Sequence, residues 1–272
     1  MAPIDKQGLP LPPFRARAGE PAAGVTPGLG RTGAEVFYLS SFPRSGNTWL
    51  RFLIANAYNE MDRQVTQVDF FNVHAITPEL KKNSESQLRP GITPLFKEFP
   101  LVVKTHADFM SSFTHVILLL RNPFDCLYSY WDYLVHNNRI PLSLSEPARH
   151  QQYGVSAIVR HADSYLRHCD DLLLVTYEDL LRRPESVLGK LFDFIGLAVA
   201  SRVVKKAIRK SSFHAMSRLE REKGRRFGRP DFRFMRKGET GQGERVIRRD
   251  GDLHQFILSE IKKSPVLHLL YG

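Results

Sequence analysis

The sequence predicts an α/β fold in which a parallel sheet is flanked by helices, and three observations carry that expectation. Short apolar runs at residues 36–41, 101–104, 115–120 and 172–176 are bounded by polar or turn residues, as strands buried on both faces should be. Segments with helical spacing lie between these runs. Two of those segments begin directly after a strand, the strand–loop–helix order whose right-handed crossovers keep neighbouring strands parallel.

Residues 1–33 are rich in Pro, Gly and Ala and poor in large apolar side chains, so they read as a flexible arm ahead of a single domain, 34–272. The first strand leads into SFPRSGNTWLR and a helix over 48–58, with Trp49, Phe52, Leu53 and Ala57 on helical spacing. The second strand ends in LVVKTHADF. The third ends at Arg121, and Pro123 suits the first turn of a helix carrying Phe124, Leu127, Tyr128, Trp131, Leu134 and Val135. Residues 220–237, EREKGRRFGRPDFRFMRK, hold eight Lys or Arg against Glu220, Glu222 and Asp231, and read as a basic lid. A tail helix follows, with Leu253, Phe256, Ile257 and Ile261 on one face. No internal repeat is present.

At 272 residues with 42% hydrophobic side chains, the chain can bury the core of one large domain or two small ones. A formal charge of +11 points to polyanionic partners such as nucleic acid, anionic membrane, acidic glycans or phosphorylated cofactors. Cys126 and Cys169 are too few for a disulfide framework and have no zinc-ligand spacing. No apolar run reaches the ~18–20 residues of a membrane span, and no apolar signal-peptide core opens the chain. A cytoplasmic location is the expectation.

Parallel sheets bind ligands outside the carboxyl ends of their strands, so the loops that follow the strands carry the chemistry. Unpaired N–H groups and the helix dipole favour an anion where Ser45, Gly46, Asn47 and Thr48 open a helix. Gly46 permits close backbone approach, Ser45 and Thr48 offer hydroxyls, and Arg44 adds a permanent forked charge. A plain capping turn, with Asn47 or Ser45 as the cap, competes with this reading, because the GxxxxGK[ST] phosphate-loop pattern is absent. Arg121 with Ser129 eight residues on forms the second candidate, against a pairing of Arg121 with Asp125. Lys104 and His106 project from one face of a strand end, where a histidine is placed to take a proton at neutral pH.

Together these loops resemble the sulfotransferase family. SFPRSGNTWLR is similar to that family's 5′-phosphosulfate-binding loop, and LLLRNPFDCLYSYWDYL to its 3′-phosphate-binding strand–loop–helix. VVKTHADF lies between them, where soluble members place a lysine and a catalytic histidine. VTYEDLLRRP resembles the family's Tyr-Glu-Asp segment, SSFHAM a stretch near the adenine, and FRFMRKGETGQGE a late Arg-Lys-Gly loop. The likeness runs from about residue 36 to 243.

The resemblance implies a P-loop nucleotide-hydrolase-like sulfotransferase fold and transfer of a sulfuryl group from 3′-phosphoadenosine 5′-phosphosulfate (PAPS) to a hydroxyl or amine. The product would be adenosine 3′,5′-bisphosphate, with no metal required. Arg44 would stabilise the leaving 5′-phosphate with Ser45, Gly46, Asn47 and Thr48 around it. Lys104 would support the sulfuryl oxygens, and His106 would act as base. Arg121, Ser129, Arg236, Lys237 and Gly238 would hold the 3′-phosphate, with Ser212 beside them and Trp49, Tyr177 and Phe213 flanking the adenine.

The chain departs from the soluble members in carrying Arg44 where they carry lysine, and in continuing its late loop as GQGERVI. Glu98 or Asp108 would replace His106 if that ring pointed away. The acceptor, a small molecule or glycan, would meet residues 65–99 and 139–153. Homodimerisation is left open. A nucleotide-dependent kinase would normally need a lysine and a Mg²⁺-binding hydroxyl in the first loop. A nucleic-acid-binding protein would account for the charge but not for Arg121 and Ser129 at their spacing.

Overall fold

A computed structural model describes residues 35–81, 87–89, 93–137, 142–224 and 238–272. The expected arm over 1–33, most of the basic lid and the candidates Arg236 and Lys237 lie outside the described residues.

Four strands, β1 (Val36–Ser41), β2 (Leu101–Thr105), β3 (His115–Leu120) and β4 (Asp171–Thr176), form a parallel sheet in the order β2-β1-β3-β4. β1 and β3 span the residues expected, while β2 runs one residue longer and β4 starts one earlier. Side chains alternate across the sheet. Phe37, Leu39, Val102, Ile117, Leu119 and Val175 enter one apolar cluster, and Tyr38, Val103, Val116, Leu118 and Leu120 enter the other.

The helix Asn47–Met61 fills the first face; Leu50, Phe52, Leu53, Ile54, Ala55 and Ala57 are all fully buried. Burying a Phe, Leu or Ile side chain stabilises the fold by roughly 1.5–3 kcal/mol each. The other face is covered by the helices Pro123–Asp132, Val155–His168 and Gly251–Ile261. Asn122 caps the first of these by accepting from the Phe124 N–H at 2.9 Å. That helix continues through a π-helical turn, Tyr133–Asn137, a form that often marks functional sites. In the tail helix Leu253, Ile257 and Ile261 are buried and Phe256 packs at the margin, as their spacing predicts.

Because β1 lies between β2 and β3, the loops after β1 and β3 emerge side by side at the carboxyl edge of the sheet. The chain returns to this edge at residues 238–243. Asp125 fixes the return by accepting from the Gly241 and Gly243 N–H groups, both at 2.7 Å. Gly243 packs so tightly that an added Cβ would lie 2.2 Å from the Phe124 carbonyl oxygen. Gly243→Ala is therefore expected to lower stability by about 1–3 kcal/mol through overpacking. A urea midpoint equal to that of the wild type would show that this contact does not form.

Candidate active site

A cavity of about 460 Å³ opens at the carboxyl edge, and Arg44, Gly46, Asn47, Thr48, Trp49, Lys104, His106, Arg121, Ser129, Tyr177 and Gly238 all line it. Sequence reasoning drew these residues from five segments, and the fold brings them to one place.

The helix Asn47–Met61 has Gly46 as its N-cap at φ 98° and no side-chain cap. The competing capping turn is thus absent: Asn47 Nδ2 donates to Ser41 Oγ at 3.0 Å, and Ser45 Oγ contacts Cys126 Sγ at 3.3 Å. The N–H groups of Gly46, Asn47 and Thr48 have no acceptor among the described residues. Gly46 is required twice over, by its left-handed backbone and by Tyr177, whose ring lies 2.5 Å from the position of an added Cβ. Ser45 corrects the reading of the loop. Its hydroxyl turns inward to Cys126, and it does not line the cavity.

Arg44 also has a left-handed backbone, at φ 73°. Its Nε donates to Ser129 Oγ at 3.1 Å and its carbonyl accepts from Arg121 Nη1 at 3.1 Å. Ser129 therefore meets Arg121 through Arg44. Arg121 Nη2 donates to the Glu239 carbonyl at 3.2 Å, while its Nε is buried with no partner among the described residues. The alternative pairing of Arg121 with Asp125 survives only as a long 3.9 Å contact. Tyr177 lies 4.4 Å under the Arg121 guanidinium and edge-on to Trp49, whose Nε1 donates to the Ser211 carbonyl.

Two expected nucleotide contacts stand off the cavity. Ser212 caps the helix Phe213–Lys223 through the Ala215 N–H, and Phe213 packs beneath Gly238.

His106 faces the cavity with its ring partly open to it, and its Nδ1 lies 2.6 Å from the Ser41 carbonyl. A carbonyl can only accept, so Nδ1 carries the proton and Nε2 keeps its lone pair. The protein enclosing the cavity and the Lys104 charge both hold the ring's pKa below the usual histidine range. Asp108 is occupied with Arg160 and His161, and neither it nor Glu98 lines the cavity.

Sequence reasoning missed Glu79, which binds Lys104 Nζ at 2.7 Å. Burial lowers the Lys104 ammonium to about 8 against the opposing pull of Glu79. On Glu79, burial acts upward as the largest single influence, but the Lys104 charge, its hydrogen bond and the Arg51 charge together outweigh it, so the carboxyl falls below its usual range. The unequal outcome reflects the deeper enclosure of Lys104, and the pair is ionised at neutral pH. Glu79 sits in a stretch without periodicity; its only sequence signal is an acid beside Pro78.

The sulfotransferase domain model matches residues 35–246. The chain belongs to the sulfotransferase family. It is 25% identical to cytosolic sulfotransferase 17 of Arabidopsis thaliana over 243 residues, covering 78% of this chain and 69% of that protein. Sulfotransferase 1B1 of Canis lupus familiaris is also 25% identical, over 65% of this chain, which spans 64% of that protein's length. Among solved structures, retinol dehydratase in complex with retinol and PAP superposes with a TM-score of 0.64, at 15% identity over 85% of this chain and 82% of that one. The last likeness bears on the fold of this sulfotransferase-family chain. No helix of the described residues is long and apolar enough to cross a membrane.

In the unfolded chain His106 gains a proton below about pH 6.5, whereas in the fold it resists protonation, so acid removes the stability it contributes. Ring-labelled NMR is expected to show a neutral His106 with Nδ1 protonated from pH 8 down to about 5.5. A His106 titration centred near 6.5 would contradict this assignment.

Proposed function

We propose that the cavity binds PAPS and that the chain transfers its sulfuryl group to the hydroxyl or amine of a small molecule. The observation that carries this reading is the convergence of Arg44, Arg121 and the unpaired N–H groups of Gly46, Asn47 and Thr48 on the cavity that also holds His106. The buried, unpartnered Arg121 Nε supports the fit to an anionic ligand, because a buried donor without an acceptor costs about 1–3 kcal/mol.

When bound, the donor supplies the sulfuryl group, its S–O bond to the 5′-phosphate breaking as the acceptor oxygen or nitrogen bonds to sulfur. Arg44 and the three N–H groups offset the charge that grows on the leaving phosphate. Arg121, Ser129 and Gly238 hold the 3′-phosphate, and Trp49 with Tyr177 offers ring surface to the adenine. His106 takes the acceptor's proton on Nε2 while the Ser41 carbonyl keeps Nδ1–H in place. Lys104, already balanced by Glu79, orients the sulfuryl oxygens with only part of its charge. The small-molecule acceptor draws support from the retinol named for the superposed dehydratase complex. Phe70, Tyr130 and Tyr133 also line the cavity and would offer ring surface to an acceptor.

Calorimetry is expected to show adenosine 3′,5′-bisphosphate binding more tightly than ATP, equally with and without Mg²⁺; preference for ATP would overturn the reading. Arg121→Ala should weaken bisphosphate binding by about 1.5–3 kcal/mol, the loss of a charged hydrogen bond. His106→Ala should instead spare that affinity and remove most turnover, and unaltered turnover would reassign the base.

A further inference from the structure

The segment that follows His106 is held from behind by one face of the helix Val155–His168. Ser164 and Tyr165 follow His161 by three and four residues, so the three side chains share that face. The Tyr165 hydroxyl donates to the Ala107 carbonyl at 2.9 Å, Ser164 Oγ accepts from the Phe109 N–H at 2.9 Å, and His161 Nδ1 lies 3.3 Å from Asp108 Oδ1. Three consecutive residues of the loop are thus tied to one helix.

His161 reaches beyond this loop. Only 1% of it is exposed, and its other ring nitrogen, Nε2, lies 3.3 Å from Ser40 Oγ on β1. Both nitrogens are therefore bonded, as a buried imidazole requires. An ionised carboxylate can only accept, so Nδ1 donates to Asp108. The hydrogen bond from His161 and the Arg160 charge hold the Asp108 carboxyl below the usual carboxylate range, against the opposing effect of burial. Ser40, His161 and Asp108 repeat the order of a nucleophilic triad, yet Ser40 is 0% exposed, so its hydroxyl cannot reach a substrate. The two ends of the bridge point to another use. Ser40 precedes Ser41, whose carbonyl accepts from His106 Nδ1–H, and Asp108 lies two residues beyond His106. His161 spans both sides of the hydrogen bond that leaves His106 Nε2 free.

Resting on His106 as the base, we infer that His161 and Asp108 are positioning residues for the transfer, fixing the His106 loop against β1 so that the ring keeps its proton on Nδ1 and presents Nε2 to the acceptor. At Ser40, β1 is paired with Thr105 on one side and Leu118 on the other, so the strand stays in place without them. The loop lies beyond the end of β2 and is the part they hold. Asp108 acts here as a hydrogen-bond acceptor and not as a base; its second oxygen lies 3.3 Å from Arg160 Nε, and it does not line the cavity.

Ring-labelled NMR of the full chain reads the His106 tautomer without any acceptor. His161→Phe keeps a ring at this position and removes both bonds, and it is expected to turn the single Nδ1–H form of His106 into a mixture of tautomers. Turnover of PAPS with 2-naphthol as the probe acceptor should fall about tenfold or more, while affinity for adenosine 3′,5′-bisphosphate stays within about twofold. Should His161→Phe fail to fold, Asp108→Ala at its exposed position is expected to show the same changes. Asp108→Asn keeps an oxygen for His161 Nδ1–H and should hold turnover within about threefold of the wild type, which a base at that position would lose. An unchanged His106 tautomer in the folded His161→Phe and Asp108→Ala variants overturns the inference. So does a loss of bisphosphate affinity that matches the loss of turnover, or a loss in Asp108→Asn equal to that in Asp108→Ala. Full turnover in His106→Ala would instead strike the reading of His106 as base, and the tautomer comparison, which needs no turnover, would still decide whether His161 orders the loop.

Discussion

The site depends on Arg44 holding two loops together. A non-glycine residue in the left-handed region costs about 1–3 kcal/mol, which tertiary contacts must offset. Here the offset comes from both ends of one residue, the carbonyl accepting from Arg121 and the side chain donating to Ser129. The loop after β1 and the helix after β3 are thereby tied at the sheet edge. Arg121 extends the tie to Glu239, and Asp125 completes it through Gly241 and Gly243. Residues almost 200 positions apart in sequence thus share one rigid rim, and positioning is what group transfer between bound molecules requires most.

Concentrating cations at this rim raises an electrostatic problem, since carboxylates that neutralised them would also repel an anionic ligand. Aromatic faces answer it. Arg44 lies 5.3 Å from the Tyr133 ring centroid and Arg121 4.4 Å from that of Tyr177, so ring quadrupoles stabilise both guanidiniums without adding negative charge. Asp125 is one of two acids near Arg121, and its oxygens are spent on backbone N–H groups. At Lys104 a full carboxylate partner is supplied, Glu79 at 2.7 Å. There the neighbouring group is His106, whose proposed role as a base would be impaired by an uncompensated cation beside it.

The parts legible in sequence are those whose information is local. Strands buried on both faces announce themselves as short apolar runs, and the loop that opens a helix carries its own glycine and hydroxyls. Side-chain direction was not legible. Ser45 looked like a phosphate donor, yet the left-handed pair Arg44 and Gly46 around it rotates its hydroxyl toward Cys126. Glu79 and Arg51 escaped for a related reason. Glu79 reaches Lys104 only because its segment runs alongside the end of β2, and Arg51 occupies a helix position whose periodicity says nothing of a buried charge. Ser212 and Phe213 belong to the same group, since helix capping and packing under Gly238 use the features that suggested nucleotide contact.

The turn at Tyr177, Glu178 and Asp179 shows how one short sequence serves three directions. A helix begins at Tyr177, and successive side chains are about 100° apart around its axis. Tyr177 faces the cavity. Glu178 points behind the loop, where it accepts from the Asn122 N–H and the Tyr271 hydroxyl, and burial raises its pKa above the usual carboxylate range. Asp179 turns outward to Arg182 and Arg183, and its N–H is capped by Thr176. A carboxyl beneath Arg121 would oppose anion binding if it were an ionised partner of that guanidinium. Burial disfavours its charge, and its hydrogen bonds anchor the C-terminal Tyr271 against Asn122, so Glu178 supports the loop that presents Arg121 without cancelling Arg121's charge.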